Sequence, residues 1–338
     1  MKKLGVAVIG VGNMGRHHAR VYFALKETDL IAVSDINEKT GKKIAKEFRC
    51  KYYKDYKEML RREKNIEAVS IAVPTKAHKK VALEVIKFKK HLLIEKPIAS
   101  NSQEAKEIIK AAKKAKVKLT VGHIERFNPA VQKLKEIIQK GVLGKVTSII
   151  ARRVGVFPPQ GTDSNVIIDL AVHDIDIFNY LLFHQPTEVF ALGRKVLTNH
   201  QEDSAEIFLS YNGISGFIQV NWITPVKIRT LSVTGSKGYA EMNYITQKLE
   251  LYKSKYKKRI ETFGEIVKFS KLIKKEIKVN KKEPLLCELE SFIKCIKKDK
   301  EPEVTGEDGL RALIIAEKAI ESLTNNKVIK ISKVSKII

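Results

Sequence analysis

Three short stretches of this 338-residue chain gather side chains able to move a proton or steady a developing charge. Glu95-Lys96-Pro97 follows an apolar run, and a lysine there can donate to a hydroxyl and favour the alkoxide that forms as a hydride leaves. Asp169, His173 and Asp176 are spaced four and three apart within Val166–Asp176, which on a helix puts all three on one face. An imidazole titrating near neutrality can take a hydroxyl proton, and a carboxylate one turn away can orient it and stabilise its charged form. Arg126 and Asn128, in Gly122-His-Ile-Glu-Arg-Phe-Asn-Pro129, are candidates to contact a substrate. Each group also has a plainer reading. Lys96 could belong to a solvated loop, His173 could be structural, Asn128 before Pro129 could cap a helix, and Arg126 could form an ion pair that bridges domains. His17, His18, His91, His184 and His200 have no local partner pattern and read as surface or structural, and no metal site is recognisable.

The elements that would position these groups begin with an apolar run, Leu4–Ile9, leading into Gly10-Val11-Gly12-Asn13-Met14-Gly15. A helical pattern comes next, and Asp35 closes a second apolar run twenty residues later. Gly10 suits a tight turn, Gly12 lets backbone approach a pyrophosphate, Gly15 lets the helix pack on its strand, and the helix start presents N–H groups to the anion. Asp35 can accept from a ribose diol and would repel a 2′-phosphate, and Ser34 and Ile36 beside it supply no arginine, so NAD is expected over NADP.

Up to about residue 121, short apolar runs alternate with helical patterns. Val6–Ile9, Leu30–Ser34, Ala68–Val73, His91–Ile94 and Lys118–Val121 read as buried parallel strands, with helices from Asn37 to Phe48, Lys76 to Phe88 and Asn101 to Lys116 between them. This predicts a doubly wound α/β domain over 1–121. Over 122–338 the rhythm becomes that of an α+β domain with an open, mainly antiparallel sheet. Its strands are expected at Val146–Val154, Glu188–Leu197, Ser204–Tyr211, Ile214–Trp222, Ile228–Thr234, Tyr239–Tyr244 and Lys248–Tyr252, and its helices at Ser164–Leu182, Pro284–Lys298 and Gly306–Thr324. The helix 306–324 is a candidate to pack back on the first domain, and a cleft is expected between the two.

With no membrane span or signal-peptide core in the sequence, a soluble, cytoplasmic protein is expected. Cys50, Cys287 and Cys295 have no metal-ligand spacing. The formal charge of +26 raises nucleic-acid binding, most of all at the lysine-dense block Lys253–Lys282. Most lysines, however, lie on helix surfaces among glutamates, as in Glu104–Lys116 and Val131–Lys140, which reads as a solvated, ion-paired surface.

The glycine motif, Val73-Pro74-Thr75 with His78, Glu95-Lys96-Pro97, Arg126-Phe127-Asn128-Pro129 and Asp169-x-x-x-His173 together resemble the glucose-fructose oxidoreductase, inositol dehydrogenase and MocA family. The resemblance implies a Rossmann domain joined to a domain whose open sheet commonly makes dimers or tetramers. It makes Lys96 the lysine beside the reacting hydroxyl, often followed by a cis prolyl bond, with Asp169 and His173 completing the catalytic set. It sets Val73, Pro74, Thr75, His78, Glu95 and Pro97 on the cofactor side. The Gly122–Val131 wording looks like that of members that oxidise the C3 hydroxyl of UDP-N-acetylglucosamine, and a diphosphate substrate would suit basic residues such as Arg152, Arg153 or Lys195. An inositol, free-sugar or sugar-phosphate dehydrogenase is the alternative within the family, and a non-catalytic NAD-binding sensor or scaffold the alternative of another class.

Overall fold

A computed structural model describes residues 3–157, 164–255 and 271–332. Among these, six parallel strands make the first sheet: β1 (Leu4–Ile9), β2 (Thr28–Ser34), β3 (Lys51–Tyr53), β4 (Ala68–Ile71), β5 (His91–Glu95) and β6 (Leu119–Gly122), in the order β3-β2-β1-β4-β5-β6. β1 and β4 are buried along their whole length, which is why they read as unbroken apolar runs. The edge strand β3 is not among the strands expected from the sequence: at three residues, none fully buried, it has too little apolar pattern to register. The crossover helices are α1 (Asn13–Ala24), α2 (Glu38–Glu47), α3 (Tyr56–Arg62), α4 (His78–Lys87) and α5 (Ser102–Ala115). Asn37 and Asn101 cap α2 and α5 by accepting from the Thr40 and Glu104 amides at 3.0 and 2.9 Å. α4 begins at His78 rather than Lys76, because Thr75–Ala77 form a 3₁₀ turn.

The second unit holds α6 (Pro129–Gln139), β7 (Val146–Val156), α7 (Val172–Leu182), β8 (Glu188–Arg194), β9 (Ser204–Ser210), β10 (Ser215–Asn221), β11 (Ile223–Gly235), β12 (Gly238–Asn243), β13 (Lys248–Lys255), β14 (Lys271–Glu276) and β15 (Ile329–Lys330). These strands form a sheet in the order β14-β13-β12-β11-β7-β10-β9-β8-β15, antiparallel throughout except where β7 runs parallel to β10. Alternate residues of β9 and β10, such as Ile207, Leu209, Ile218 and Val220, are buried. Their neighbours form the opposite face, which is the period-two pattern of the sequence.

The expected division at 121/122 is redrawn. Residues up to Phe127 form one compact unit with Glu283–Ile314, while Asn128–Lys282 form the other with Ile315–Lys333. The cause is α8 (Pro284–Lys297), whose Leu285, Leu289, Phe292, Ile293 and Cys295 are buried in the same core as Val6, Val8 and Tyr22. α9 (Gly306–Asn325) joins that unit through its first half. Gly309 lies so close to β6 that a Cβ would fall 2.8 Å from a Val121 methyl. The second half of α9 belongs to the other unit, where Ser322 Oγ accepts from the Ala191 amide at 3.0 Å.

The lysine excess is largely a solvated surface. Pairs such as Lys42–Glu38, Arg62–Glu58 and Lys133–Glu136 sit on exposed helix faces, where each contributes little to stability. Of the block Lys253–Lys282, residues 256–270 lie outside the described residues. No helix among the described residues is long and apolar enough to cross a membrane.

Candidate active site

In the first unit the glycine turn is built as its chemistry requires. Gly10 has φ +82°, and a Cβ there would lie 2.7 Å from the Ala72 carbonyl oxygen, while a Cβ at Gly15 would lie 1.8 Å from the Gly10 oxygen. Gly12 is different, since a Cβ there would meet nothing within 4 Å. Its openness therefore serves an approach from outside rather than the fold. Gly12 also caps α1 without any side-chain hydrogen bond, so the first turn of the helix presents its N–H groups outward beside exposed Asn13 and half-buried Met14. Asp35 Oδ2 accepts from the Val11 amide and Oδ1 from the Asn37 amide, both at 2.8 Å. Each oxygen keeps a second lone pair, which suits a ribose diol. Ile36 beside it is exposed. This combination of an open glycine, an uncapped helix start and an oriented carboxylate fits an adenine dinucleotide.

The turn after β5 carries Lys96, half-buried, and the Lys96–Pro97 bond is cis. Its neighbours differ from expectation. Glu95, expected on the cofactor side, is buried, and its carboxylate bonds His18 Nε2 at 2.9 Å and the Lys96 amide at 3.2 Å. Burial alone would raise the Glu95 pKa, but His18 and Lys96 outweigh it and hold the carboxyl below the usual range. His78, likewise expected against the cofactor, is buried with Nδ1 2.9 Å from the Pro97 oxygen and Nε2 2.9 Å from the Val73 oxygen. Burial lowers its pKa, against the pull of those carbonyls. Its ring ties the Val73–Thr75 loop to the lysine turn instead of facing outward, and leaves Val73 and Thr75 half-buried and Pro74 exposed at the sheet's carboxyl edge.

Arg126 forms an ion pair, though not the domain-bridging one expected as its plainer role. It is buried and pairs with Asp308 at 3.2 Å, within its own unit. Asp308 also accepts from the Thr305 amide at 2.9 Å and from Arg311. Burial works to raise the Asp308 pKa, but Arg126, Thr305 and Arg311 drive it well below the usual carboxylate range.

In the second unit, the single helix expected over Ser164–Leu182 divides. Ile167–Ala171 is a π-helical turn, and only from Val172 does α7 run as an α-helix. The i→i+5 closure shifts the register of Asp169 relative to α7. Asp169 and His173 both remain half-buried, but Asp176 is buried in the core, where its charge adds to the burial that raises the Tyr211 pKa. Of the three, only Asp169 and His173 keep partial exposure.

Asn128 is a buried cap. Its Oδ1 accepts from the Ala130 amide at 3.1 Å and its Nδ2 donates to the Tyr244 carbonyl at 3.0 Å. Arg153, weighed as a phosphate contact, is instead closed in a bidentate pair with Asp174 at 2.7 and 3.0 Å, with the Tyr244 hydroxyl 3.2 Å from the same carboxylate. Arg152 is exposed and donates to Gln219 at 3.0 Å, and Lys195 is exposed. The Arg153–Asp174 pair, adjacent to His173, is invisible in the sequence because its partners lie 21 residues apart with no local pattern. Among the described residues there is no group of three or more His, Cys, Asp or Glu side chains able to hold a metal ion. Burial pushes the Cys50 and Cys295 thiols up to about 11, so neither is a reactive thiolate at neutral pH.

Comparison with known proteins agrees with this architecture. Residues 4–123 match the family model described as an oxidoreductase family with an NAD-binding Rossmann fold, and residues 131–241 match the GFO/IDH/MocA C-terminal domain. A UDP-N-acetylglucosamine 3-dehydrogenase from Acidithiobacillus ferrooxidans is 28% identical over 316 residues, covering 94% of this chain and 96% of that one. A myo-inositol 2-dehydrogenase from Thermotoga maritima is 27% identical over 361 residues, covering 97% and 99%. The solved structure of the Acidithiobacillus ferrooxidans enzyme superposes with a TM-score of 0.84 over 96% of this chain and 99% of its own. The chain thus belongs to the Gfo/Idh/MocA family of oxidoreductases, with NAD as the dinucleotide of its Rossmann unit.

Proposed function

We propose that this protein oxidises a ring hydroxyl of a nucleotide sugar, C3 of UDP-N-acetylglucosamine or a close relative of it, with NAD as the hydride acceptor. The observation that carries the reading is Lys96. It stands at the carboxyl end of β5, on a turn braced by Glu95 and His78, at the sheet edge where open α/β folds bind their ligands. Gly10, Gly12, Gly15 and Asp35, with Val11, Asn13 and Met14 between them, would hold the dinucleotide, and Val73, Pro74 and Thr75 would line its path. When bound, the cofactor supplies the carbon that accepts a hydride. His173 takes the hydroxyl proton, Asp169 orients the imidazole and stabilises its charged form, and Lys96 donates to the oxygen as negative charge develops on it. The carbinol carbon loses a hydride and the oxygen a proton, leaving a ketone.

The substrate class rests on the similarity over 94% of the chain to the UDP-N-acetylglucosamine 3-dehydrogenase. The similarity to the myo-inositol 2-dehydrogenase supports a polyol as the second reading. NADH formation measured across UDP-N-acetylglucosamine, other UDP-sugars, inositols and free sugars separates the two, and absence of turnover on all of them would leave a cofactor-binding sensor. Lys96→Ala and His173→Ala should each lower turnover by about two orders of magnitude or more while NAD still binds. A variant that keeps near-normal turnover removes that residue's role.

We also propose a homodimer or homotetramer formed through the second unit's sheet, in a cytoplasmic protein. Phe190, Phe208, Phe217 and Ile150 lie directly opposite one another across β8, β9, β10 and β7. Phe208 and Ile150 are exposed large apolar groups in that row, the kind of contiguous patch that marks an interface.

A further inference from the structure

Beneath Lys96 runs a line of buried polar groups that the proposed chemistry does not use. Tyr22 OH lies 2.8 Å from Ser70 Oγ, Ser70 Oγ lies 3.1 Å from His18 Nδ1, and His18 Nε2 lies 2.9 Å from Glu95 Oε1. The other carboxylate oxygen, Glu95 Oε2, accepts from the backbone N–H of Lys96 at 3.2 Å. His18 and Ser70 are fully buried. The groups come from α1, β4 and β5, so the line runs from the helix that opens on the glycine turn to the turn that carries the lysine.

The donors and acceptors match in one direction. If Tyr22 donates to Ser70 and Ser70 donates to His18 Nδ1, then the Nε2–H donates to Glu95, and every hydrogen in the line has an acceptor. Glu288 of α8 completes the charge balance. Both its carboxyl oxygens are buried without a hydrogen-bond partner, and burial together with the Glu95 charge raises its pKa well above the ordinary value. Two carboxyls whose environments push their protonation apart have different tasks. Here burial favours the protonated form of Glu288, while the partners of Glu95 favour its ionised form. On the far side of Glu95, Gly122 makes room for the carboxylate: a Cβ there would sit 2.9 Å from Oε2.

We infer that Glu95 and His18 are positioning residues for Lys96: His18 orients the buried carboxylate, and the carboxylate holds the lysine's own amide, so that the lysine turn is locked to the helix of the dinucleotide motif. The inference rests on the reading of Lys96 as the group that meets the reacting oxygen. Glu95→Gln keeps the shape of the side chain but offers one acceptor oxygen where two are needed, so either the His18 N–H or the Lys96 N–H is left facing an amide donor. His18→Leu removes the orienting donor, while His18→Gln retains an N–H able to reach the carboxylate.

The test is made on the whole 338-residue chain. Residue-resolved amide hydrogen exchange at Lys96, measured without substrate, should accelerate by about tenfold or more in Glu95→Gln and His18→Leu. Their kcat should fall by about tenfold or more with KM for NAD changed by less than about threefold, and His18→Gln should recover kcat to within about threefold of the parent. Lys96 exchange unchanged in both variants, or parental kcat in His18→Leu, overturns the inference. If Glu95→Gln does not fold, Glu95→Asp carries the test, since a shortened carboxylate should still loosen the Lys96 amide. A parent protein that turns over no sugar or polyol would refute the proposed activity, whereas the exchange rates judge the positioning by themselves.

Discussion

Glu288 gives the most discriminating prediction about stability. It is 1% exposed, both its oxygens lack hydrogen-bond partners, and Leu285, Leu289 and Phe292 of the same helix belong to the surrounding core. Burial is the main cause of its raised pKa and the charge of Glu95 the second. In the unfolded chain this carboxyl ionises at its ordinary value of 4.5. In the folded chain it keeps its proton to a much higher pH. Between those two values the folded state binds more protons than the unfolded one, so the stability of the native protein falls as pH rises. The loss is ~1 kcal/mol for each pH unit, reaching a plateau above the folded pKa. Glu288→Gln keeps the size of the side chain but has no proton to lose. Subtracting parent from variant in urea unfolding series at successive pH values from 5 upward cancels every other titration. The difference should start near zero and grow in favour of the variant by ~1 kcal/mol per unit. Parallel curves for the two proteins would mean that Glu288 ionises as freely in the fold as outside it, and the charge division assigned to Glu95 and Glu288 would be wrong.

Other perturbations report on separate parts of the molecule. Asp308 behaves in the opposite sense, since Arg126, Thr305 and Arg311 hold its carboxyl well below the usual range against the effect of burial. Asp308→Asn should cost ~3 kcal/mol at neutral pH by thermal or urea unfolding, and the gap to the parent should close as pH falls below ~4 through the depressed folded pKa. Gly12→Ala should leave the melting temperature of the cofactor-free protein within ~2 °C of the parent while weakening NAD binding by about tenfold or more in calorimetry. Gly15→Ala, which would force a Cβ to 1.8 Å from the Gly10 oxygen, should destabilise the protein itself. Phe208→Asp places a charge in the middle of the cross-strand row Phe190–Phe208–Phe217, and sedimentation velocity should show a smaller species than the parent if that face joins copies of the chain.

Much of the first unit was legible because its signals are local. Parallel strands buried on both faces read as apolar runs, asparagines at 37 and 101 announce the helices they cap, and three glycines at fixed spacing with an acid twenty residues on define a nucleotide turn. The return of Glu283–Ile314 to that unit was not legible in the same way. α8 shows an apolar face, but nothing in its periodicity says which of two cores the face will enter. β3 escaped because it is short and half exposed, and the π turn at Ile167–Ala171 escaped because an inserted residue per turn leaves no compositional mark.

The site residues divide along the same line, and the division has a physical cause. Lys96, Asp169 and His173 stood out because each lies in a short polar motif at or near the end of an element, the setting in which the proposed chemistry would meet a small molecule. The buried polar pairs next to them in the chain do not cluster in sequence: His18 reaches Glu95 across 77 positions and Arg153 reaches Asp174 across 21. The family resemblance set Glu95 and His78 on the cofactor side, and the local pattern left Arg126 and Asn128 open between a substrate contact and an ion pair or helix cap; each of the four turns polar atoms inward to bond backbone or a buried partner. A polar side chain without a partner is costly when buried, so one in a tightly packed edge loop either faces solvent or finds a bond within the protein. At these four positions the space around the loop is filled by protein, and the bond inside wins. At Gly12 and Asp35 it is not: a Cβ would meet nothing at Gly12, and the Asp35 oxygens retain acceptor capacity after bonding Val11 and Asn37. Unfilled space together with remaining hydrogen-bonding capacity, rather than polarity alone, is what separates the residues that await a ligand from those that brace them.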